Sequence, residues 1–99
     1  MLIPKTKALD IGAAGTQEQF TTTKEIIPPG RSVWVRAHPT NTGVIYIGDL
    51  NVSAATGHVL DKLDPPFEIN VDDAWDISDL WADAATNGDD VSIFWMGEA

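Results

Sequence analysis

The chain has no cysteine, and that absence removes several functions at once. A domain without cysteine has no disulfide, no thiolate metal ligand and no thiol nucleophile. Basic residues are also scarce, with 6 Lys and Arg against 15 Asp and Glu, which gives a formal net charge of −9. Because such a charge repels phosphate backbones and anionic lipid, we expect no nucleic-acid partner and no membrane partner.

Long apolar runs are missing as well. No segment approaches the ~20 apolar residues that a membrane-spanning helix needs. Residues 1–5 lack the apolar core of a secretory leader, so we expect synthesis in a cytoplasm. The 99 residues, 43% of them hydrophobic, are enough for one small domain. Small domains that lack disulfides often gain stability from oligomerisation or from docking on a partner.

Alternating apolar residues predict an all-β domain. Along residues 32–38 the alternation separates two faces, with Val33, Val35 and Ala37 on one and Trp34, Arg36 and His38 on the other. Residues 67–71 alternate in the same way, and turn signals recur about every 8–12 residues. We predict a small antiparallel β-sandwich of about six to eight strands, with Greek-key or jelly-roll-like connections.

The N-terminal residues predict an extended arm. Residues 1–16 contain Pro4, Gly12 and Gly15 and show neither helical nor strand periodicity, whereas residues 17–99 predict a single sandwich domain that begins with a strand over 17–24. The apolar residues of the arm are costly to leave in water, so we expect the arm to bind a neighbouring copy. Its candidate interface residues are Leu2, Ile3, Lys5, Lys7, Leu9 and Ile11.

Residues 72–85 admit two interpretations, an amphipathic helix or a turn followed by a strand. We favour a turn near residues 73–76 and a strand from about Ser78 to Ala84. The reason is Asn87-Gly88, which is the strongest short hairpin signal and predicts pairing with residues 91–96.

No catalytic or metal-binding pattern is recognisable. Asp residues are dense between 72 and 90, but their spacing does not match an EF-hand loop, and we interpret them as a solvated acidic rim. His38 and His58 are isolated in sequence, and there is no Gly-x-Ser-x-Gly elbow or glycine-rich phosphate loop. We therefore predict that the protein is not an enzyme and has no catalytic residue, metal site or cofactor.

Four tryptophans in 99 residues are many for a domain of this size. Trp34 and Trp81 fall on faces that are otherwise charged, and each is open to two interpretations, an interface anchor or a core residue. With Arg36 they complete the candidate interface. Trp95 is in phase with the apolar residues of 91–96 and predicts a core position. This last segment is apolar on both faces, as in a central strand or one that lies against another subunit.

Several short motifs resemble a family of small virion structural proteins from tailed bacteriophages, of the capsid decoration or cement type. The matching residues are Asn41-Thr42-Gly43, Tyr46-Ile47-Gly48, Val52-Ser53, Gly57 and Asp79-Leu80. The resemblance spans roughly residues 30–96. It departs from the family at Asp64-Pro65-Pro66-Phe67, where relatives show Pro-Gly-Glu before the following strand.

The resemblance implies a non-enzymatic decoration protein on the capsid surface, made in the host cytoplasm. Its expected partners are the major capsid protein and copies of itself, as a homotrimer or another oligomer. The alternatives are a neck, tail or fibre component of the virion, or a carbohydrate-binding β-sandwich module that uses exposed Trp34, Trp81 and Tyr46.

Overall fold

The chain forms two facing antiparallel sheets and a small two-stranded ladder. The computed structural model describes residues 1–99. In chain order its ten strands are β1 (Leu2–Ile11), β2 (Glu18–Gln19), β3 (Ile26–Ile27), β4 (Ser32–Ala37), β5 (Ile45–Gly48), β6 (His58–Leu60), β7 (Phe67–Asn70), β8 (Trp75–Asp76), β9 (Trp81–Ala84) and β10 (Asp89–Glu98). The predicted all-β antiparallel sandwich is confirmed, although three of the ten strands are only two residues long.

The strand order separates the last two strands, which are neighbours in sequence. One sheet has the order β1-β10-β4-β7 and the other β2-β9-β5-β6, while β3 pairs with β8 alone. Asn87-Gly88 therefore turns the chain from one sheet to the other, and the predicted hairpin pairing is wrong. Both edges of β10 are already occupied by β1 and β4, and both edges of β9 by β2 and β5. The turn itself is present, with Gly88 at φ +81°.

Inward-facing residues of both sheets make one apolar core. The alternation predicted for residues 32–38 is confirmed, since the three apolar residues of β4 are buried while Trp34 and Arg36 are exposed. β10 alternates in the same way and contributes Trp95 to the core, as predicted. The core is completed from the second sheet by Ile45, Ile47, Leu60, Ala82 and Ala84.

The N-terminal residues form one of the two longest strands of the domain instead of a separate arm. β1 pairs with β10 over its whole length, from Leu2 opposite Glu98 to Ile11 opposite Asp89. The predicted division into an arm (1–16) and a domain (17–99) is therefore wrong. Two physical reasons explain this: β10 offers an edge as long as β1, and the glycines expected to break the segment follow the strand.

Residues 17–24 are a strand only at Glu18–Gln19. Beyond Phe20 the chain turns, because the Thr21 hydroxyl accepts the backbone N–H of Thr23 at 3.1 Å. Threonine side chains that bond their own backbone in this way compete with strand pairing. The high β propensity of the threonine run is overridden by this local turn.

Residues 72–85 contain the two-residue strand β8, a single 3-10 turn at Ile77–Asp79 and the short strand β9. The turn begins after the predicted position because the Asp76 carboxylate caps it, accepting the N–H of Ser78 at 2.9 Å. The amphipathic helix considered from sequence does not form. No helix in the structure has the length and apolar character that crossing a bilayer requires.

Two glycines of the short motifs at residues 41–43 and 57 lie where packing leaves no room for a side chain. A Cβ atom at Gly43 would lie 2.6 Å from Thr86 Oγ1, and one at Gly57 would lie 2.7 Å from Tyr46 Cβ. Gly43 also donates its N–H at 2.8 Å to the buried carboxylate of Asp89. These motifs therefore build the β5–β6 hairpin and its attachment to β10, and they account for fold more directly than for function.

Candidate functional site

The outer face of the β1-β10-β4-β7 sheet carries two exposed aromatic rings. Trp34 of β4 and Phe94 of β10 are 40% and 43% exposed and lie directly opposite each other in the strand register. Side chains at such positions have Cβ atoms about 4.5–5.5 Å apart. The two rings therefore project from neighbouring positions on one solvent-exposed face of the sheet.

A shallow groove of about 500 Å³ runs along this exposed face. We call it the aromatic face, lined by Thr6, Lys7, Ala8, Trp34, Arg36, Pro66, Ser92, Ile93 and Phe94. Its charged lining residues are both basic, in a chain whose net charge is −9. The face thus combines exposed aromatic area and hydroxyl groups with charges of both signs, because Glu68 of β7 lies directly opposite Trp34 in the register. Exposed aromatic rings beside polar groups are enriched where proteins bind partners or sugars.

Local sequence explains why each ring points outward, and strand register explains why they meet. In β4 the buried residues flank Trp34, so its side chain must stand on the solvent face. In β10 the same alternation exposes Phe94 between Ile93 and Trp95. The antiparallel pairing of β4 with β10 then sets the two rings side by side although they are far apart in sequence.

Phe94 and Pro66 are members of this face that sequence reasoning did not select. The apolar character of both faces of residues 91–96 was the available signal for Phe94. It pointed to a covered strand, and the structure places β10 centrally in its sheet with one face open. Nothing in the sequence around Pro66 indicates a place on this face. Pro66 immediately precedes β7, and the pairing of β7 with β4 brings it beside Trp34.

Trp81 does not join Trp34. It is half-buried on the outer face of the second sheet, opposite Gln19 and Gly48 in the register. The same face carries Asp83, which is only 3% exposed because the segment after β1 lies over it and Gly15 donates its N–H to the carboxylate at 3.0 Å. The two predicted anchors therefore lie on opposite sides of the sandwich.

The apolar residues of the predicted N-terminal interface are used largely within their own domain. Ile11 is fully buried in the core, and Leu9 packs against that core. For Ile11 the prediction of contact with a neighbouring copy is wrong, since no surface remains on it to bury, whereas the interface role of half-buried Leu9 stays a prediction. Leu2 and Ile3 are half-buried near the end of β1, and their role at an interface stays a prediction.

The two lysines of β1 face the inner side of their sheet. Lys5 and Lys7 stand opposite Trp95 and Ile93, whose side chains point inward. Inward-pointing charges of this kind protect an edge strand against pairing with other chains. The Lys5 ammonium bonds both carboxylate oxygens of Glu25, at 3.2 and 3.3 Å, whereas Lys7 makes no ion pair.

The carboxylates do not converge on a metal-binding group of three or more ligands. Asp76 shows a structural role instead, because its Oδ1 accepts the backbone N–H of Glu25 at 3.0 Å and that of Ser78 at 2.9 Å. These bonds, that of Glu25 above all, hold the pKa of Asp76 below its usual value despite the opposing effect of desolvation. Of the histidines, His38 bonds Thr40 and His58 stacks on Phe67 with ring centroids 4.0 Å apart.

Comparisons with known proteins show a fold likeness alone. Three solved structures of the metallopeptidase IMPa, two of them described as from Pseudomonas aeruginosa, superpose with a TM-score of 0.58. The complex with an O-glycopeptide is 14% identical and the complex with T-antigen 12% identical, covering 98% and 97% of this chain. The chain spans only 12–13% of the length of those proteins. No family model and no curated protein sequence matches the chain.

Proposed function

We propose that this protein is a non-enzymatic structural component of a tailed-phage virion, a capsid decoration protein that docks on the outer shell through its aromatic face. The observation that carries the proposal is the exposed Trp34–Phe94 pair on a solvent-exposed sheet face. The resemblance of residues 30–96 to small virion proteins supplies the biological setting. The expected partners are the major capsid protein and further copies of this chain.

The chemistry of the aromatic face indicates what it would contact. Tryptophan and arginine are the side chains most enriched among residues that dominate binding energy, and Trp34 and Arg36 stand next to each other on β4. Aromatic area supplies the desolvation energy, and the guanidinium selects for acidic groups at the same place. We expect the docking surface on the shell to be apolar at its centre and acidic at its margin.

The size of the domain is compatible with this use. The molecule measures 38 × 25 × 20 Å, so one broad side offers roughly the ~800 Å² that each partner contributes to a standard interface. A single contact of that size does not need to be tight, because many copies on one particle, or an oligomer of this chain, raise the overall affinity by avidity.

Locating the chain in native particles tests the proposal. Purified virions would be labelled with an antibody against this chain and imaged. In a second experiment, shells stripped of this chain would be mixed with the purified protein and its binding measured. Label distributed over the shell supports the proposal. Label confined to the neck, tail or fibres favours the alternative virion position, and absence from particles overturns a virion role.

Variants of the aromatic face test whether this face is the surface that binds the shell. Trp34→Ala and Phe94→Ala are each expected to weaken shell binding by about 2 kcal/mol, the threshold for a dominant interface residue. Leu63→Ala is the matched control, because Leu63 is 86% exposed and does not line this face. Equal binding by all three variants would rule out the aromatic face as the docking surface.

A second candidate function is glycan binding by the same face. Two adjacent exposed rings beside Thr6, Ser92 and Arg36 can stack on a sugar and bond its hydroxyls. Two of the structures with a similar fold were solved with glycan-bearing ligands, an O-glycopeptide and the T-antigen. Binding of immobilised glycans that is lost in Trp34→Ala, with no binding to shells, would favour this function over decoration.

A further inference from the structure

A second concave site lies on the other side of β1, between that strand and the segment after β2. We call it the N-terminal cleft; it has a volume of about 300 Å³ and is lined by Lys5, Thr6, Lys7, Thr21, Thr23, Glu25, Ile77, Ile93 and Trp95. Its floor is apolar and its rim carries hydroxyl and charged groups. Lys7 borders both this cleft and the aromatic face, while Trp34 and Phe94 border only the latter.

The charged groups of the cleft leave one positive charge unmatched. Lys5 and Glu25 neutralise each other through two contacts of 3.2 and 3.3 Å, with both side chains only 26% exposed. Lys7 makes no ion pair with any of the 15 acidic residues of the chain. Its ammonium is therefore the charge in the cleft that remains available to a ligand.

A buried donor without an acceptor lies next to the cleft. Trp95 is 6% exposed, and its indole Nε1 is one of two buried side-chain polar atoms with no hydrogen-bond partner. The position that a Cβ would take at Gly97 lies 2.8 Å from this Nε1 and 3.2 Å from Glu25 Oε2. The indole edge therefore lies beside the Lys5–Glu25 pair, where a missing acceptor leaves the N–H costly.

We propose that the N-terminal cleft binds a carboxylate group attached to an apolar or ring-shaped body. The carboxylate bonds the Lys7 ammonium and the hydroxyl of Thr23, since that of Thr21 is engaged with the backbone of residue 23, while the body packs on Ile93 and Trp95. The Trp95 N–H is itself buried, so it senses the ligand through the indole ring without bonding it. Two sources share this chemistry, an acidic sugar and an acidic side chain presented by a protein partner.

A uronic acid and a blocked glutamate are the probes that distinguish those sources. The isolated protein labelled with ¹⁵N would be titrated with glucuronate and with N-acetylglutamate α-methylamide, whose only carboxylate is that of the side chain. The indole N–H signal of Trp95 would be followed, assigned from its absence in Trp95→Phe. Each probe has a neutral partner, glucose and N-acetylglutamine α-methylamide. We expect a saturable shift with one or both carboxylates and none with the neutral partners, and the tighter probe identifies the source.

Charge variants make the test specific. Lys7→Gln is expected to weaken carboxylate binding about tenfold or more, the effect of losing a charge-assisted hydrogen bond. Lys62→Gln, which removes the same charge outside the cleft, should leave the titration unchanged, and so should Trp34→Ala on the aromatic face. No saturable shift with either acid, or equal shifts with the neutral probes, would overturn the proposal. Loss of particle docking in Trp34→Ala would have no bearing on it.

Discussion

The two outer faces of the sandwich begin from the same sequence pattern and end differently. Each presents a tryptophan on a strand face that is otherwise charged, Trp34 beside Arg36 and Trp81 beside Asp83. On the first face the tryptophan meets Phe94 and both rings stay open to solvent. On the second, which we call the covered face, the chain after β1 returns over the strands and buries the charged residue.

The difference teaches that a strand pattern decides only which way a side chain points. What then covers that side chain is decided by connections elsewhere in the chain. The covered face is closed by backbone N–H groups of residues 12–16, with Gly15 bonded to Asp83 and Ala14 to Asn87. The aromatic face has no such connection, so its rings are available for a partner.

Among variants of the two outer faces, the largest effect on stability should come from removing the carboxylate that holds the covering segment. In Asp83→Ala, the N–H groups of Gly15 and Ala84 lose an acceptor at 3.0 and 2.8 Å. Because Asp83 is buried, we expect the free energy of unfolding to fall by about 2–3 kcal/mol, measured by urea denaturation. We also expect the Trp81 fluorescence to shift toward that of an exposed indole.

Asp79→Ala is the control for that variant. Asp79 is exposed on the same acidic segment and should change stability by less than about 0.5 kcal/mol. If the two variants behaved alike, the hydrogen bonds of Asp83 would not be what closes the covered face.

A smaller loss should follow from crowding the covered face at Gly57. A methyl group there would lie 2.7 Å from Tyr46 Cβ and 2.8 Å from Val52 Cγ2, and overpacking of this kind costs about 1–3 kcal/mol. Gly57→Ala should therefore lower the melting temperature by several degrees, for which about 4–8 °C per kcal/mol is usual in a domain this size. Gly12→Ala, with nothing within 4 Å, should be neutral or slightly stabilising.

Sequence periodicity was sufficient to predict the fold class and which side chains of a single strand face the core. It predicted the faces of β4 and the core position of Trp95, because alternation is a local property of a strand. It failed where partners are chosen at long range: β10 takes β1 as its neighbour instead of β9. For the same reason the aromatic face was only half predicted, since Trp34 was selected and Phe94 was not.

Acid should lower the free energy of unfolding by removing the hydrogen bonds of Asp76, which lies near the N-terminal cleft. Asp76 joins residue 25 to the 3-10 turn, and its pKa is lowered from 3.8 chiefly by the Glu25 N–H bond. A carboxyl whose pKa is lower in the folded state stabilises the fold above the unfolded pKa and loses that contribution as the pH falls through the folded pKa. We expect this loss below about pH 4.

Asp76→Asn removes the titrating group and retains its shape. The variant should be less stable than the parent at pH 7, and its stability should fall less steeply below pH 4 when both are followed by urea denaturation across a pH series. Identical pH profiles would show that another carboxyl governs the acid response.

The smallest effect on stability should come from the aromatic face itself. Trp34 is 40% exposed and its partner Phe94 43%, so truncating Trp34 opens no cavity in the core. Threonine keeps a high strand propensity, and Trp34→Thr should lose only the cross-strand pair, about 0.5 kcal/mol by urea denaturation. Trp95→Ala, in the core, should lose about 3–5 kcal/mol.

A loss above about 2 kcal/mol in Trp34→Thr would mean that the exposed rings serve the fold, and the docking proposal would lose its main support. A small loss in stability together with a large loss in particle binding would instead separate what holds this domain together from what it presents to a partner.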